Sequence, residues 1–268
     1  MVKISVLMPV YNPQIDYLRQ AIESILIQDF HDWELIIIDD CSHMNVKEIF
    51  DKILKDKKII LKYYRNDKNL GIWASLNKWI QLSSWKYIAR LDQDDYWWNK
   101  NKLKRQFDFL EKNNEYAICW TDSIIIDDSW NIIWITHFKK DNDAIKNIFL
   151  VYNQFVHSSV LFNKNYVKSL WWYNTSYLLA QDYELWCRLW KYYKFANIRD
   201  VYTYYRENPW SLSMKKKKKQ FYETLKIIIS NYNYYPNSLK WILTQTFLFA
   251  SPKRIIHFLV KIKSKLCR

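Results

Sequence analysis

Acidic residues fall in clusters along this chain, and two of the clusters end apolar runs: Asp39-Asp40 after Trp33 to Ile38, and Asp92-Gln93-Asp94-Asp95 after Lys86 to Leu91. Paired carboxylates are hard oxygen ligands suited to a hard divalent cation, and a cation held by them can in turn hold a diphosphate. Singly, each cluster reads as well as a solvated loop, since short acidic strings arise readily by chance. Placed at corresponding strand ends, they describe a site. A third apolar run ends in Pro9-Val10-Tyr11-Asn12, which supplies polar groups at the same edge. A further acid, Asp182, opens the helical stretch Gln181 to Leu189, where a carboxylate interacts favourably with the helix dipole.

The elements that must carry these residues alternate in period. Continuous apolar runs at Ile4 to Val10, Trp33 to Ile38, Ile59 to Tyr64 and Lys86 to Leu91 predict buried strands. Between and after them, Tyr17 to Gln28, Val46 to Leu54, Ile72 to Leu82 and Asn101 to Lys112 carry helical spacing. Four strand-helix repeats predict a mostly parallel sheet with helices on both faces, and ligands then lie beyond the carboxyl ends of the strands. Downstream, Tyr116 to Ile126 and Ile132 to His137 predict a hairpin, Ser158 to Phe162 a short strand and Phe195 to Tyr205 another. Lys215 to Lys219 reads as an exposed loop or helix start, with helix to the end.

Composition narrows the classes. The 268 residues suffice for one large α/β domain with a helical appendage. No apolar run approaches the ~18 residues of a membrane-spanning helix, and the N-terminus has no signal-peptide pattern. Cys41, Cys119, Cys187 and Cys267 are scattered and read as reduced thiols, which fits a cytoplasmic protein. The net charge of +14 suits an anionic partner. No helix-turn-helix, zinc-finger or RNA-binding signature accompanies it, so nucleic acid is not the expected one.

The acidic clusters and their flanks together resemble the family 2 glycosyltransferases of GT-A fold. Val6-Leu7-Met8-Pro9-Val10-Tyr11-Asn12 resembles that family's opening strand, and Glu34 to Ser42 its second strand with the nucleotide-contacting acid. Asn69-Leu70-Gly71-Ile72 and Asn77 match the segment before the metal site, Lys86 to Asp95 the Asp-x-Asp element, and Gln181 to Trp186 the segment of the catalytic base. The resemblance covers residues 3 to 212 and sets the expected boundary: a GT-A domain at 1–212 and a basic helical extension at 213–268. It implies an inverting, metal-dependent transferase acting on a nucleotide-diphosphate sugar, with a glycan or lipid-linked acceptor in cell-surface polysaccharide or glycolipid synthesis. Asp40, with Asp39 beside it, would contact the nucleotide; Asp92 would approach ribose and metal, and Asp94 would be the main metal ligand. Asp182 would be the catalytic base, standing without the acidic neighbour often found at position 181. Pro9, Tyr11, Asn12 and Asn77 would line the donor site. Arg206 either reaches the diphosphate or lies on the surface, and His157 reads as a hydrogen-bonded structural histidine. A sugar-phosphate nucleotidyltransferase would instead carry a glycine-rich loop after the first strand. An inactive nucleotide-sugar-binding protein would have no need of Asp40, Asp92, Asp94 and Asp182 together.

One glycine and 15 tryptophans in 268 residues is an unusual balance for a fold rich in turns. Trp130 stands in a hairpin turn, Trp85 and Trp190 between helix and strand, and Trp210 after Pro209, all places that favour glycine. Trp73, Trp79, Trp120, Trp134, Trp171 and Trp172 also fall at or near glycine positions of the family pattern, whereas Trp33, Trp97 and Trp186 fit as tryptophan. A gene that reads UGA as glycine, decoded with a table that reads it as tryptophan, would give this pattern. Beyond Ser251-Pro252, apolar residues mix with Lys253, Arg254, Lys261, Lys263, Lys265 and Arg268. Such a helix either rests on an anionic membrane surface as a peripheral contact or packs its apolar side on the domain.

Overall fold

The unbroken apolar runs become strands buried on both faces. In the computed structural model, β1 (Ile4–Val10) and β2 (Trp33–Asp39) are buried at every position. The structure describes residues 3–151, 153–207 and 215–236, with short pieces at 238–239, 242–243 and 246–247. β3 (Ile60–Arg65), β2, β1 and β4 (Tyr87–Arg90) lie side by side in that order, all parallel. The helices between them are α1 (Ile15–Leu26), α2 (Val46–Ile53) and α3 (Ile72–Leu82), with α4 (Lys102–Lys112) following.

Past β4 the sheet becomes mixed. β8 (Leu161–Asn163) runs antiparallel to β4 and to β6 (Tyr116–Ile126), while β9 (Lys194–Arg206) runs parallel to β6. The two-residue β5 (Tyr96–Trp97) closes that edge against β9, and β7 (Ile132–Ile135) pairs with β6 as a hairpin. Strand alternation divides the core into two layers. Ile4, Val6, Met8 and Val10 pack with α1, α2 and α4 on one face. Leu7, Ile36 and Ile38 face α3, α5 (Asn142–Ile148), α7 (Gln181–Leu189) and α8 (Lys217–Asn231) on the other. A short helix, α6 (Lys164–Ser169), follows β8.

α8 lies beyond the boundary expected at residue 212, yet Ile227 and Ile228 belong to this second core layer. Its Glu223 carboxylate accepts the backbone N–H groups of Leu178, Leu179 and Ala180 at 3.0, 2.7 and 3.2 Å, just ahead of α7. The helix therefore anchors the approach to Asp182. Ser251-Pro252 and the basic tail after them lie outside the described residues, as does Trp210.

Backbone conformation separates the tryptophans. Trp130, Trp171 and Trp172 adopt φ of 67°, 65° and 61°, the left-handed region in which a bulky side chain is strained and glycine is not. Trp190 is different: its φ is −71°, its ring stacks on Phe195, and its indole N–H donates to Asn142 at 2.8 Å. Trp120 is buried against Phe155. These two fill core volume that glycine would leave open. Trp97 and Trp186 are fully buried, and the Trp97 indole N–H donates to Ser158 O at 2.7 Å.

Candidate active site

The parallel strands deliver their polar ends to one edge, where side-chain amides join the loops. Gln93 grips Tyr11 at both backbone groups: Tyr11 N–H donates to Gln93 Oε1 at 2.8 Å, and Gln93 Nε2 donates to Tyr11 O at 3.2 Å. The middle residue of Asp92-Gln93-Asp94 thereby ties the end of β4 to the end of β1. Asn12, at φ 43°, accepts from His43 N–H through Oδ1 and donates its own N–H to Ser42 Oγ, joining β1 to β2. Tyr11 is left 43% exposed at the mouth of the cleft, while Pro9 lies buried within β1.

Asp39 and Asp40 are buried and already hydrogen-bonded within the protein. Asp39 accepts from Ser42 N–H, Tyr63 Oη and Arg65 at 2.8, 2.7 and 2.9 Å. Asp40 accepts from Asn66, Ser75 and Leu70 N–H through Oδ1 and from Gly71 N–H through Oδ2. Gly71 has φ 79°, so the single glycine sits where the chain must turn left-handed to point its N–H at Asp40. Asp40 thus organises the loop of residues 69–71 at the edge of the sheet.

The acids after β4 differ in their surroundings. Asp92 is held by Arg90, a buried side chain whose Nη2 donates to Asp92 Oδ1 at 2.6 Å, while Asp92 N–H donates to Ser158 Oγ at 3.0 Å. Asp95 faces inward, hydrogen-bonded to Ser158 Oγ and to Arg206 N–H, and braces the loop from below. Asp94 has no side-chain partner of this kind among the described residues. Burial and the neighbouring Asp92 charge push its carboxyl up to about 6. A crowded, partly desolvated carboxylate pair is relieved by a divalent cation, so Asp94 with Asp92 fits Mg²⁺ or Mn²⁺. Two carboxylates leave the other coordination positions of such an ion to water and diphosphate oxygens.

Arg206 turns away from the cleft. It is 2% exposed, its guanidinium lies 3.8 Å from the Tyr17 ring centroid, and it donates to Asp94 O, Asp127 O and Gln20 Oε1. Donors committed to acceptors within the protein are not available to a diphosphate, so Arg206 holds the Asp94 backbone in place. Asn77 is likewise a brace. It donates to Tyr173 O at 2.7 Å and accepts Tyr173 N–H at 3.0 Å.

Across the cleft, α7 begins with no side-chain cap, and Asp182 sits in its first turn. Burial pushes the Asp182 carboxyl up to about 6; its first-turn amides and Asn153 oppose that, and the Asp92 charge adds to it. Tyr173 is buried, and its hydroxyl is 2.9 Å from His157 Nε2. Burial and then the Arg90 charge hold His157 well below its usual value, as a neutral structural histidine. Glu184 is spent on Arg188 at 2.7 and 2.9 Å. Sequence reasoning did not pick out Arg90, Gln93, Asn153 or Ser158 as site residues. Of these only Arg90, closing β4, and Gln93, inside the acidic motif itself, carried a local signal.

A twisted α/β sheet with acid groups at the ends of β2 and β4 and a further acid opening a helix opposite is the GT-A arrangement of nucleotide-sugar transferases. Comparison with known proteins agrees. The family described as glycosyl transferase family 2 matches residues 5–171. An uncharacterised glycosyltransferase of Methanocaldococcus jannaschii is 31% identical over 278 residues, spanning 98% of this chain and 94% of that protein. The UDP-Glc:α-D-GlcNAc-diphosphoundecaprenol β-1,3-glucosyltransferase WfaP of Escherichia coli is 30% identical over 214 residues, 80% of each chain. Among solved structures, S. aureus TarS 1–349 in complex with UDP-GlcNAc superposes with a TM-score of 0.71 at 18% identity, covering 92% of this chain and 73% of that one. The mannosyltransferase PcManGT of Pyrobaculum calidifontis, in complex with GDP-Man and Mn²⁺, gives 0.66 at 13% identity, covering 91% and 68%. The chain belongs to glycosyl transferase family 2. It is a nucleotide-sugar glycosyltransferase of GT-A fold.

Proposed function

We propose that this enzyme is a metal-dependent inverting transferase with Asp182 as its base. The observation that carries the reading is a carboxylate in the first turn of α7, hydrogen-bonded to Asn153, with its proton affinity raised by burial and by the nearby Asp92 charge. A base titrating near 6 is ionised at neutral pH yet basic enough to accept a proton. Asp182 takes the proton of the acceptor hydroxyl while that oxygen forms its bond to the anomeric carbon. The bond from that carbon to the diphosphate oxygen breaks on the opposite face, so configuration inverts and a nucleoside diphosphate leaves. Asp94, with Asp92, would hold Mg²⁺ or Mn²⁺, which when bound neutralises charge developing on the diphosphate. Arg90, Asp95, Ser158 and Arg206 keep those acids in register, and Gln93 fixes Tyr11 beside the donor.

The donor is a nucleotide-diphosphate sugar stacked on or near Tyr11 between the loops of residues 11–12 and 69–71. The acceptor is a glycan or a lipid-linked sugar, a class supported by the relative named for a diphosphoundecaprenol-linked substrate. Among the described residues no helix is long and apolar enough to cross a membrane. We place a lipid-linked acceptor at the cytoplasmic membrane face, where the +14 charge favours anionic headgroups. The test is a donor screen with UDP-glucose, UDP-N-acetylglucosamine and GDP-mannose, with and without Mn²⁺. Mn²⁺-dependent release of nucleoside diphosphate from one donor is expected. Release of monophosphate or pyrophosphate instead would overturn the reading.

A further inference from the structure

Asp182 meets one other side chain by hydrogen bond among the described residues: Asn153 Nδ2 donates to Asp182 Oδ2 at 2.8 Å. Asn153 lies half-buried between the 3₁₀ turns Phe149–Val151 and His157–Ser159, 29 residues away in sequence. Its own amide is oriented by a second bond, because Oδ1 accepts Phe155 N–H at 3.1 Å. Reversing the amide would set oxygen against carboxylate and NH₂ against N–H, losing both bonds at once. The site therefore presents a fixed donor to one chosen oxygen of the base.

We propose that Asn153 is a positioning residue for the transfer: it holds Asp182 Oδ2 so that Oδ1 is the atom that meets the acceptor hydroxyl. The proposal rests on the reading of Asp182 as base. A carboxylate can rotate about its last bond, and a free one would share its time between orientations, most of them unproductive. One directional donor removes that freedom. The same bond favours the ionised form of Asp182 against burial and against the charge of Asp92. The first-turn amides of Asp182 and Tyr183 also reach the carboxylate, Asp92 is the acid whose charge bears on it, and the Tyr173 hydroxyl nearby is paired with His157. With Asn153 removed, the backbone amides alone oppose burial, and the base form is lost at a higher pH.

The test compares Asn153→Ala, Asn153→Asp and Asp182→Asn with wild-type enzyme, using whichever of UDP-glucose, UDP-N-acetylglucosamine or GDP-mannose it turns over with Mn²⁺. Asn153→Asp keeps the acceptor for Phe155 N–H and the side-chain size, and replaces the donor with a second carboxylate that raises the proton affinity of Asp182 by like charge. Asn153→Ala is expected to lower kcat roughly 10- to 100-fold, the effect of one hydrogen bond to a charged group, and Asn153→Asp to lower it further by like-charge repulsion. Donor KM should stay within about twofold, since the donor site is untouched, and the acid limb of kcat should move to higher pH. Wild-type kcat with an unmoved limb in either variant overturns the proposal. Loss of donor binding together with turnover also overturns it, by showing a folding role. Wild-type turnover by Asp182→Asn would instead remove the base assignment on which the proposal rests.

Discussion

If Asp182 is the base, lowering the pH switches the enzyme off by a calculable amount. Its carboxyl titrates at about 6, so about 90% is ionised at pH 7, half at pH 6 and about 10% at pH 5. Only the ionised form accepts the acceptor proton, and kcat/KM should therefore fall about tenfold for each pH unit below 6. Asp94 lies close enough in proton affinity to imitate this limb, because its carboxyl is also raised to about 6. The two are separable. A proton on Asp94 competes with the metal, so raising Mn²⁺ shifts that limb to lower pH. A proton on Asp182 does not, and its limb should stay in place once Mn²⁺ is saturating. The assay is the initial rate of nucleoside diphosphate release from pH 5 to pH 8 at two Mn²⁺ concentrations. A profile flat to pH 5 at saturating Mn²⁺, or a limb that keeps moving with Mn²⁺, would refute Asp182 as the titrating base.

Two further predictions concern stability. Trp171 is 87% exposed at φ 65°, so Trp171→Gly should relieve left-handed strain with little packing lost. A gain of about 1 kcal/mol is expected, a rise in Tm of roughly 2–4 °C, whereas Trp190→Gly should cost roughly 3–5 kcal/mol by emptying the core. Peptide masses of the protein made by its own cells should read glycine at positions 130, 171 and 172; tryptophan there would end the codon-reassignment idea. Lys102 is fully buried, which lowers its amine to about 7. Between pH 7 and its ordinary value the unfolded chain holds the extra proton, so wild-type stability rises with pH across that window. The stability advantage of Lys102→Met should accordingly shrink by roughly 2 kcal/mol between about pH 7 and pH 9 in denaturant titrations.

Period and composition made the first half legible. α3 spans Ile72–Leu82 as the apolar spacing predicts, and β6 and α7 likewise coincide with their predicted spans. β5 has two residues, too short for any periodic signal, and its existence depends on β9 lying alongside. α5 and α6, of seven and six residues, span too few turns to show a helical period in the sequence. In the site, the acids were visible because clustered carboxylates at strand ends are a local pattern. Their partners were not: Asn153 reaches Asp182 across 29 residues and Ser158 reaches Asp95 across 63, so only the folded chain joins them. Arg206 shows the converse. A basic residue near a diphosphate site looked available, yet the tertiary fold commits its donors to Asp94, Asp127 and Gln20.

The most direct test of the central claim separates donor binding from turnover. Wild-type enzyme, Asp94→Ala and Asp182→Asn would be compared for nucleoside diphosphate release and for donor binding by calorimetry in Mn²⁺. The account predicts that Asp182→Asn binds donor like wild type but turns over roughly 10²- to 10⁴-fold more slowly, while Asp94→Ala loses Mn²⁺-dependent binding and turnover together. Wild-type turnover in both variants would contradict it.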